Sequence, residues 1–232
     1  MSGRQSPPPP AAEVWLATPE AARRFDPSQL TGADRDAWAA IRTARRRLDW
    51  ESSRALQGAI PGAGGERRSL SHSHGFAALA LAPGAVAVGV DLEWLAPRNF
   101  AGMADVAYSA AESAHLASLD DPAEVCSTFY ELWTLKEAFG KALRLHLADA
   151  LRLCCFIDSS GMRHAMVPTS HAWRARVFAP RPQLRLAVVH VNESPAPILE
   201  AINTMEWPLP RAREWPVVRD LVSSGRRAAT AC

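Results

Sequence analysis

The sequence places carboxylate side chains in two stretches where they could bind a divalent cation. Asp91 and Glu93 follow small and β-branched residues, 85–90, that predict a buried strand. Alternate residues of a strand point to the same face, so these carboxylates should project together, where they repel unless a cation or proton lies between them. Such a pair is common at strand ends. With a third carboxylate from a helix it predicts a magnesium site, since Mg²⁺ takes a few oxygen ligands and shares them with phosphates.

The third carboxylate is Glu137, in a segment from 129 to 143 whose apolar residues recur at three- and four-residue steps. This spacing predicts an amphipathic helix. Glu137 and Lys141 are four residues apart, in the order that favours a solvated ion pair, which is the simplest interpretation of them. The helix also carries Lys136 and Trp133. One carboxylate and two cations beside a bulky ring, with the upstream carboxylates, favour a functional site.

A third stretch, from 67 to 75, contains arginine, serine and histidine side chains just before an apolar run. These guanidinium, hydroxyl and imidazole groups could donate hydrogen bonds to an anionic ligand. A polar loop that enters a strand is the alternative interpretation.

Three motifs, in this order and spacing, resemble the signatures of the 4′-phosphopantetheinyl transferases of the Sfp type. They are Ser71-His72-Ser73, Gly89-Val90-Asp91-Leu92-Glu93, and the segment 133–141, which reads WTLKEAFGK. The segments 98–100 and 108–112 also resemble the family's connecting region, so the resemblance extends from about 69 to 147. Each motif alone is unspecific, whereas three in register are hard to obtain by chance. A Gly-Lys-Pro segment that often precedes Ser-His-Ser in the family is replaced here by Gly65-Glu66-Arg67-Arg68.

The resemblance implies an enzyme, a 4′-phosphopantetheinyl transferase of the holo-[acyl-carrier-protein] synthase type. Its reaction moves the 4′-phosphopantetheine arm of coenzyme A to a serine of an acyl or peptidyl carrier protein and releases 3′,5′-ADP. Asp91, Glu93 and Glu137 would bind Mg²⁺. Lys141, assisted by Lys136, would stabilise the transferring phosphates. Glu137 would be the base, directly or through a metal-bound water.

The resemblance also implies which residues contact the nucleotide of coenzyme A. Ser71 and His72 would contact its phosphates. The predicted helical region from 34 to 57 carries five arginines, and guanidinium groups pair well with phosphate. Most of them fit a solvated basic face, and Arg47 and Arg54 are the candidates for the 3′-phosphate.

Composition limits the other classes of function. The chain of 232 residues is 48% hydrophobic and 22% charged, which is ordinary for a globular protein, and its net charge of +2 is too small to indicate a nucleic-acid partner. The longest apolar run is broken by Pro83-Gly84, which predicts two strands and a turn and not a membrane span. The four cysteines have the spacing of neither a disulfide framework nor a zinc site, which favours a reducing cytoplasm.

The predicted fold is α+β, and the resemblance implies two similar α+β halves related by a pseudo-two-fold, with the active site between them, in a monomer. We expect a disordered tail at 1–12, an N-terminal half at 13–85, a C-terminal half at 86–193 and an extension without an assigned role at 194–232. Predicted helices cover 34–57, in two pieces, 104–119 and 123–143. Predicted strands include 14–17, 150–157, 174–178 and 183–191.

Two other functions fit the same residues. Three carboxylates and two lysines would suit a magnesium-dependent pyrophosphate hydrolase, which needs no carrier protein. A non-catalytic module that binds coenzyme A or a carrier would not need a complete metal site. The sequence leaves the carrier open, so fatty acid, polyketide and nonribosomal peptide biosynthesis are all candidate pathways.

Overall fold

The computed structural model describes residues 11–60, 66–158, 163–193, 199, 201–208 and 210–223. Most of the predicted tail, 1–10, and the glycines at 62, 64 and 65 lie outside the described residues. The described chain combines helices with several sheets, which confirms the predicted α+β class.

The strands are β1 (Ala12–Ala17), β2 (Arg67–Ser73), β3 (Phe76–Ala82), β4 (Val86–Trp94), β5 (Cys155–Ile157), β6 (Arg163–Met166), β7 (Trp173–Phe178), β8 (Leu184–Asn192), β9 (Ile202–Trp207), β10 (Arg211–Ala212) and β11 (Val217–Ser223). The α-helices are α1 (Gly32–Ala39), α2 (Ala44–Ala59), α3 (Phe100–Ala107), α4 (Ala110–Ala117), α5 (Pro122–Leu143) and α6 (Leu147–Leu153), and 3₁₀ turns lie at Pro19–Arg24 and Pro27–Gln29.

The first sheet has the order β10-β9-β1-β3-β2. Its strand β3 is apolar throughout because it lies between β1 and β2 and is covered on both faces. One face packs against Leu56 of α2, and the other packs against the second sheet. The β2–β3 hairpin turns through His74 and Gly75, both with positive φ, which is the geometry of a two-residue turn that matches the twist of the strands.

The second sheet has the order β11-β7-β8-β4 and is antiparallel throughout. Helix α5 covers one of its faces, where Phe139 packs among Ala187 and Val189. On the other face Leu186 and Val188 pack against the first sheet. Both faces of β8 are therefore buried, which explains its nearly continuous apolar sequence.

Helix α5 begins and ends where its sequence directs. The Asp121 side chain caps the N-terminus by accepting a hydrogen bond from the Ala123 N–H (2.9 Å), and Pro122 occupies the first turn. Arg144 ends the helix in the left-handed conformation, with φ of 56°. The predicted helix at 123–143 is therefore confirmed with nearly the same bounds.

Two other predicted elements differ from the structure. The helix predicted at 104–119 is α3 and α4, because Ser109 starts a new helix through a capping box with Glu112. The strand predicted at 150–157 is wrong in its first part, where the chain forms α6 from strong helix formers. Ala150 of α6 packs closely on Gly140 of α5, where an added Cβ would lie 2.7 Å away.

The described part of the predicted extension supplies strands to both sheets. Strand β9 pairs in parallel with β1, and β10 pairs with β9. Strand β11 pairs with β7 at the edge of the second sheet. The domain boundaries and the pseudo-two-fold stay predictions.

None of the helices in the described ranges combines the length and hydropathy that a bilayer span requires. Cys126 and Cys154 are free thiols, whereas Cys155 is disulfide-bonded, which the cysteine spacing did not predict.

Candidate active site

Three carboxylates from two elements meet at one point. Asp91 and Glu93 extend from β4, and Glu137 extends from α5, which packs on that strand. One oxygen from each of them lies within 4.8 Å of the other two. Asp91 is buried, and the other two side chains are partly buried. The three predicted ligands are thus close enough to share one cation.

A glycine allows this close approach of helix and strand. A Cβ placed on Gly89 would lie 1.9 Å from the Ala138 carbonyl oxygen and 2.7 Å from the Ala142 backbone nitrogen. Both atoms belong to the backbone of α5, so any larger residue at 89 would force the two elements apart. Gly89 therefore helps to set the distance between Asp91 on the strand and Glu137 on the helix.

Lys141 also lies at the site, as the sequence predicts. Its Nζ donates to Asp91 Oδ1 (2.8 Å) and to the Val90 carbonyl oxygen (2.9 Å). About a third of its side chain is exposed, so the ammonium group borders solvent while it neutralises Asp91.

The second oxygen of Asp91 lacks a partner. Asp91 Oδ2 is buried and accepts no hydrogen bond within the described part of the chain. A buried carboxylate oxygen without a donor is costly unless a ligand satisfies it. All three side chains offer carboxylate oxygens, the ligand type that Mg²⁺ prefers. The residues present therefore fit a small divalent cation.

The remaining carboxylates have strongly raised pKa values. Burial raises the pKa of Glu93 to about 7, with further increases from the charges of Asp91 and Glu137, while Ser73 and Arg98 oppose the shift. Burial and the charge of Asp91 raise the pKa of Glu137 to about 7, against the opposing effects of Lys141 and Trp133. Near neutral pH, the site therefore holds protons that a bound cation would displace.

Strand β2 lies along the edge of β4 and contacts that strand through alternate serines. The backbone N–H groups of Val90, Leu92 and Trp94 donate to the hydroxyls of three serines at 3.0, 3.2 and 3.1 Å. These serines, in the same order, are Ser69, Ser71 and Ser73. They join the edges of the two sheets, and we refer to them as the serine seam.

Ser71 and His72 occupy different surroundings. Ser71 is buried behind the carboxylates and donates to Asp91 Oδ1 (2.9 Å), so its single proton is already engaged. His72 points the other way and lines a cavity of about 660 Å³ between β2 and α2. The pKa of His72 is lowered, mainly by burial of the imidazole. The imidazole of His72, rather than the Ser71 hydroxyl, is open to a ligand.

The cavity beside His72 contains two arginines that the sequence did not single out. Arg45 and Arg46 line it, together with Asp49 and Trp50. Arg45 and Arg46 lie one helical turn before Asp49, which accepts from the Gly75 N–H and so ties α2 to the hairpin that carries His72. The contact between the start of α2 and His72 depends on tertiary packing, so the sequence could not predict it. The only sign of it in the sequence is that this helix is rich in arginine.

The two arginines predicted for the 3′-phosphate are engaged elsewhere. Arg47 lies over the Trp38 ring and within 4.0 Å of Glu51. Arg54 makes a 2.7 Å ion pair with Asp34 and lies over Trp50. The structure does not bring either of them to the cavity beside His72.

Lys136 is a correction to the sequence-based prediction. Its ammonium group is fully buried on the opposite side of α5, where it pairs with Glu112 at 2.9 Å. It also donates to the Leu151 carbonyl oxygen (2.8 Å) and to that of Cys154. All three of its N–H donors are therefore used, and Lys136 anchors α4 and α6 to α5. Lys136 lies away from Glu137 because adjacent residues of a helix face different directions.

Comparison with known proteins agrees with this geometry. Residues 87–189 match the family model described as the 4′-phosphopantetheinyl transferase superfamily, and the matched range contains all three carboxylates and Lys141. No curated protein matches the chain. The segment 87–189, which carries β4, α5 and β8, is a domain of the 4′-phosphopantetheinyl transferase superfamily.

Proposed function

We propose that this protein catalyses Mg²⁺-dependent transfer of the 4′-phosphopantetheine arm from coenzyme A to a serine hydroxyl of an acyl or peptidyl carrier protein. The O–P bond to the serine forms as the bond to 3′,5′-ADP breaks, and the serine proton is released. The observation that carries the proposal is the convergence of Asp91, Glu93, Glu137 and Lys141 within the superfamily domain.

The three carboxylates would hold Mg²⁺, and Asp91 Oδ2 is the oxygen that most lacks a partner. The cation, when bound, supplies positive charge that offsets the pyrophosphate oxygens. Lys141 adds a second positive charge at the same point. Two of its N–H donors are used within the described chain, by Asp91 and Val90, so a third can meet a phosphate oxygen.

Glu137 is our candidate for the general base. A neutral serine hydroxyl is a weak nucleophile, so transfer requires a group that takes its proton. The pKa of Glu137 is raised to about 7, which brings its basicity close to the range that favours proton transfer at neutral pH. Binding to a cation would weaken Glu137 as a base, and its role as a ligand has the stronger support.

The cavity beside His72 is our candidate for the nucleotide portion of coenzyme A. Arg45 and Arg46 provide guanidinium groups for phosphate, and Trp50 offers an aromatic ring at the same cavity. The Ser71 hydroxyl contacts Asp91, and the next residue of β2, His72, lines the cavity, so the carboxylates and the cavity lie on the two faces of this strand. A single ligand could extend from one to the other.

A carrier protein as acceptor follows from the superfamily, while the particular carrier stays a prediction. The monomeric state and the cytoplasmic location also stay predictions, as does the holo-[acyl-carrier-protein] synthase subtype.

Intact-mass spectrometry of apo carrier proteins tests the proposal. Each carrier is incubated with the protein, coenzyme A and Mg²⁺, with and without a chelator. We expect a chelator-sensitive gain of about 340 Da, the mass of the phosphopantetheine arm that the donor supplies. Consumption of coenzyme A without a mass gain on any carrier would instead indicate the pyrophosphate hydrolase.

A matched pair of variants assigns the result to the site. Asp91→Ala removes the buried ligand and should abolish transfer at any attainable Mg²⁺ concentration. Asp120→Ala removes an exposed carboxylate just before α5 and should leave the rate unchanged. Full activity of Asp91→Ala would exclude the carboxylate cluster as the metal site.

A further inference from the structure

The serine seam provides hydrogen-bond acceptors for backbone N–H groups at the edge of β4. On its other side this strand pairs with β8, while the N–H groups of Val90, Leu92 and Trp94 face β2. An unpaired buried N–H group costs about 1–3 kcal/mol, so these groups need acceptors. The seam serines supply them in register, two residues apart on both strands, through side-chain oxygens in place of carbonyls.

Two seam serines make a second contact, to a carboxylate, that the third lacks among the described residues. The Ser71 hydroxyl donates to Asp91 Oδ1 at 2.9 Å, and Ser73 Oγ lies 3.2 Å from Glu93 Oε2. Each of these two hydroxyls accepts from the N–H of one β4 residue and contacts the carboxylate of the β4 residue just before it. Ser69 accepts from the Val90 N–H, and the residue before Val90 is Gly89, which has no carboxylate for Ser69 to contact.

The contact at Asp91 determines which oxygen is left for a ligand. Oδ1 receives hydrogen bonds from both Ser71 and Lys141, at 2.9 and 2.8 Å. Oδ2 is buried and accepts none in the described residues. Two donors on one oxygen restrict the rotation of the carboxylate group and leave the other oxygen for a ligand. Groups behind a metal ligand commonly orient it in this way.

We infer that Ser71 and Ser73 are positioning residues, which hold the Asp91 and Glu93 carboxylates in the geometry that binds the cation. The inference rests on the proposed function, because it takes the three carboxylates as the Mg²⁺ site. It also assigns Ser71 a different role from the phosphate contact that the family resemblance implies. The hydroxyl has one proton, and that proton is donated to Asp91.

Ser69 is a matched control for the other two serines of the seam. Ser69→Ala, Ser71→Ala and Ser73→Ala each remove one hydroxyl that accepts from β4, so each should lower the free energy of unfolding by a similar amount. Only the variants at 71 and 73 also remove a contact to a carboxylate. A purely structural role of the seam predicts equal behaviour of all three variants, and a positioning role does not.

Mg²⁺ titration calorimetry on the full chain, with and without coenzyme A, is the direct test. We expect Ser71→Ala to weaken Mg²⁺ binding by about 10–100-fold and Ser73→Ala to weaken it by a smaller factor, as for other groups behind metal ligands. Ser69→Ala should stay within about twofold of the wild type, since in the described part of the chain Ser69 makes no hydrogen bond to the three carboxylates. In transfer assays, Ser71→Ala should need more Mg²⁺ while its KM for coenzyme A at saturating Mg²⁺ stays unchanged.

The outcomes separate the two proposals. If the wild type binds Mg²⁺ and transfers the arm, but Ser71→Ala binds Mg²⁺ as Ser69→Ala does, the positioning role is overturned and the proposed function stands. A raised KM for coenzyme A with unchanged Mg²⁺ binding would show that Ser71 contacts the phosphates. A wild type that binds no Mg²⁺ in either state would overturn both proposals. Ser73→Ala gives an independent measurement should Ser71→Ala fail to fold.

Discussion

Replacement of Gly89 by alanine should damage both stability and activity. The added Cβ would lie 1.9 Å from the Ala138 carbonyl oxygen and 2.7 Å from the Ala142 nitrogen. Neither atom can move by a change of rotamer, because both belong to the backbone of α5. Since real Cβ contacts essentially never fall below 3.0 Å, the helix and the strand must separate by at least about 1 Å.

The size of the effect follows from this displacement. Overpacking a well-packed core costs about 1–3 kcal/mol, and a backbone clash belongs at or above the upper end of that range. For a chain of this length, about 3 kcal/mol corresponds to a fall in Tm of roughly 6–12 °C. Glu137 precedes Ala138 on α5, so it would move away from Asp91. A misplacement of about 1 Å can reduce a catalytic rate about 100-fold.

Urea unfolding and single-turnover transfer measure the two effects. Gly58→Ala is the matched control, because among the described residues a Cβ there would meet only Gln29 Oε1, at an ordinary 3.6 Å. Within α2 that change should stabilise the protein by up to about 1 kcal/mol. A Gly89→Ala protein that stays within about 1 kcal/mol of the wild type and transfers at nearly the same rate would refute the assigned role of Gly89.

Four further predictions concern charged or titratable side chains. Glu137→Gln keeps the shape and removes the charge, so single-turnover transfer should slow by about two to four powers of ten, and a rate within a few-fold of the wild type would exclude Glu137 as both ligand and base. The pKa values of Glu93 and Glu137 lie near 7 in the folded protein, above the ordinary 4.5, so without Mg²⁺ the folded state binds more protons and Tm should fall as pH rises from about 5 to 8. Added Mg²⁺ should restore Tm mainly above pH 7 and lose affinity below it, and a pH-independent Tm without metal would contradict both shifts. His72→Ala should raise the KM for coenzyme A by about tenfold and leave the Mg²⁺ dependence unchanged, which steady-state kinetics would show. Lys136→Met leaves the buried Glu112 carboxylate without its cation, so chemical unfolding should report a loss of about 3–5 kcal/mol, and a small loss would mean that Glu112 is satisfied in another way.

Local pattern predicted the elements that position the site. Small and β-branched residues at 85–90 predicted the strand that places Asp91 and Glu93 on one face, and the apolar steps of 129–143 predicted α5. The short helix α6 was missed because its seven residues are mostly apolar, and such a run does not distinguish a helix from a buried strand.

The environment of a charged side chain was harder to predict than its presence. Lys136 and Lys141 both belong to the segment that resembles the family signature, yet one is fully buried against Glu112 and the other reaches Asp91. The surroundings of the five arginines were hard to predict for the same reason, because the cavity beside His72 depends on how α2 packs against β2. The serine seam could not be foreseen either, since it requires knowing that β2 and β4 lie side by side.

The parallel pairing of β1 with β9 has a consequence for biosynthesis. Strand β1 ends at Ala17 and its partner begins at Ile202, so the two can pair only after the long intervening segment has been synthesised. At ordinary synthesis rates β1 waits roughly 10 to 40 s for this neighbour. During that interval β1 can pair with β3 while its other edge stays open, and open strand edges are the usual starting points of aggregation. Pairing with β9 therefore covers a strand edge of β1 that would otherwise stay open.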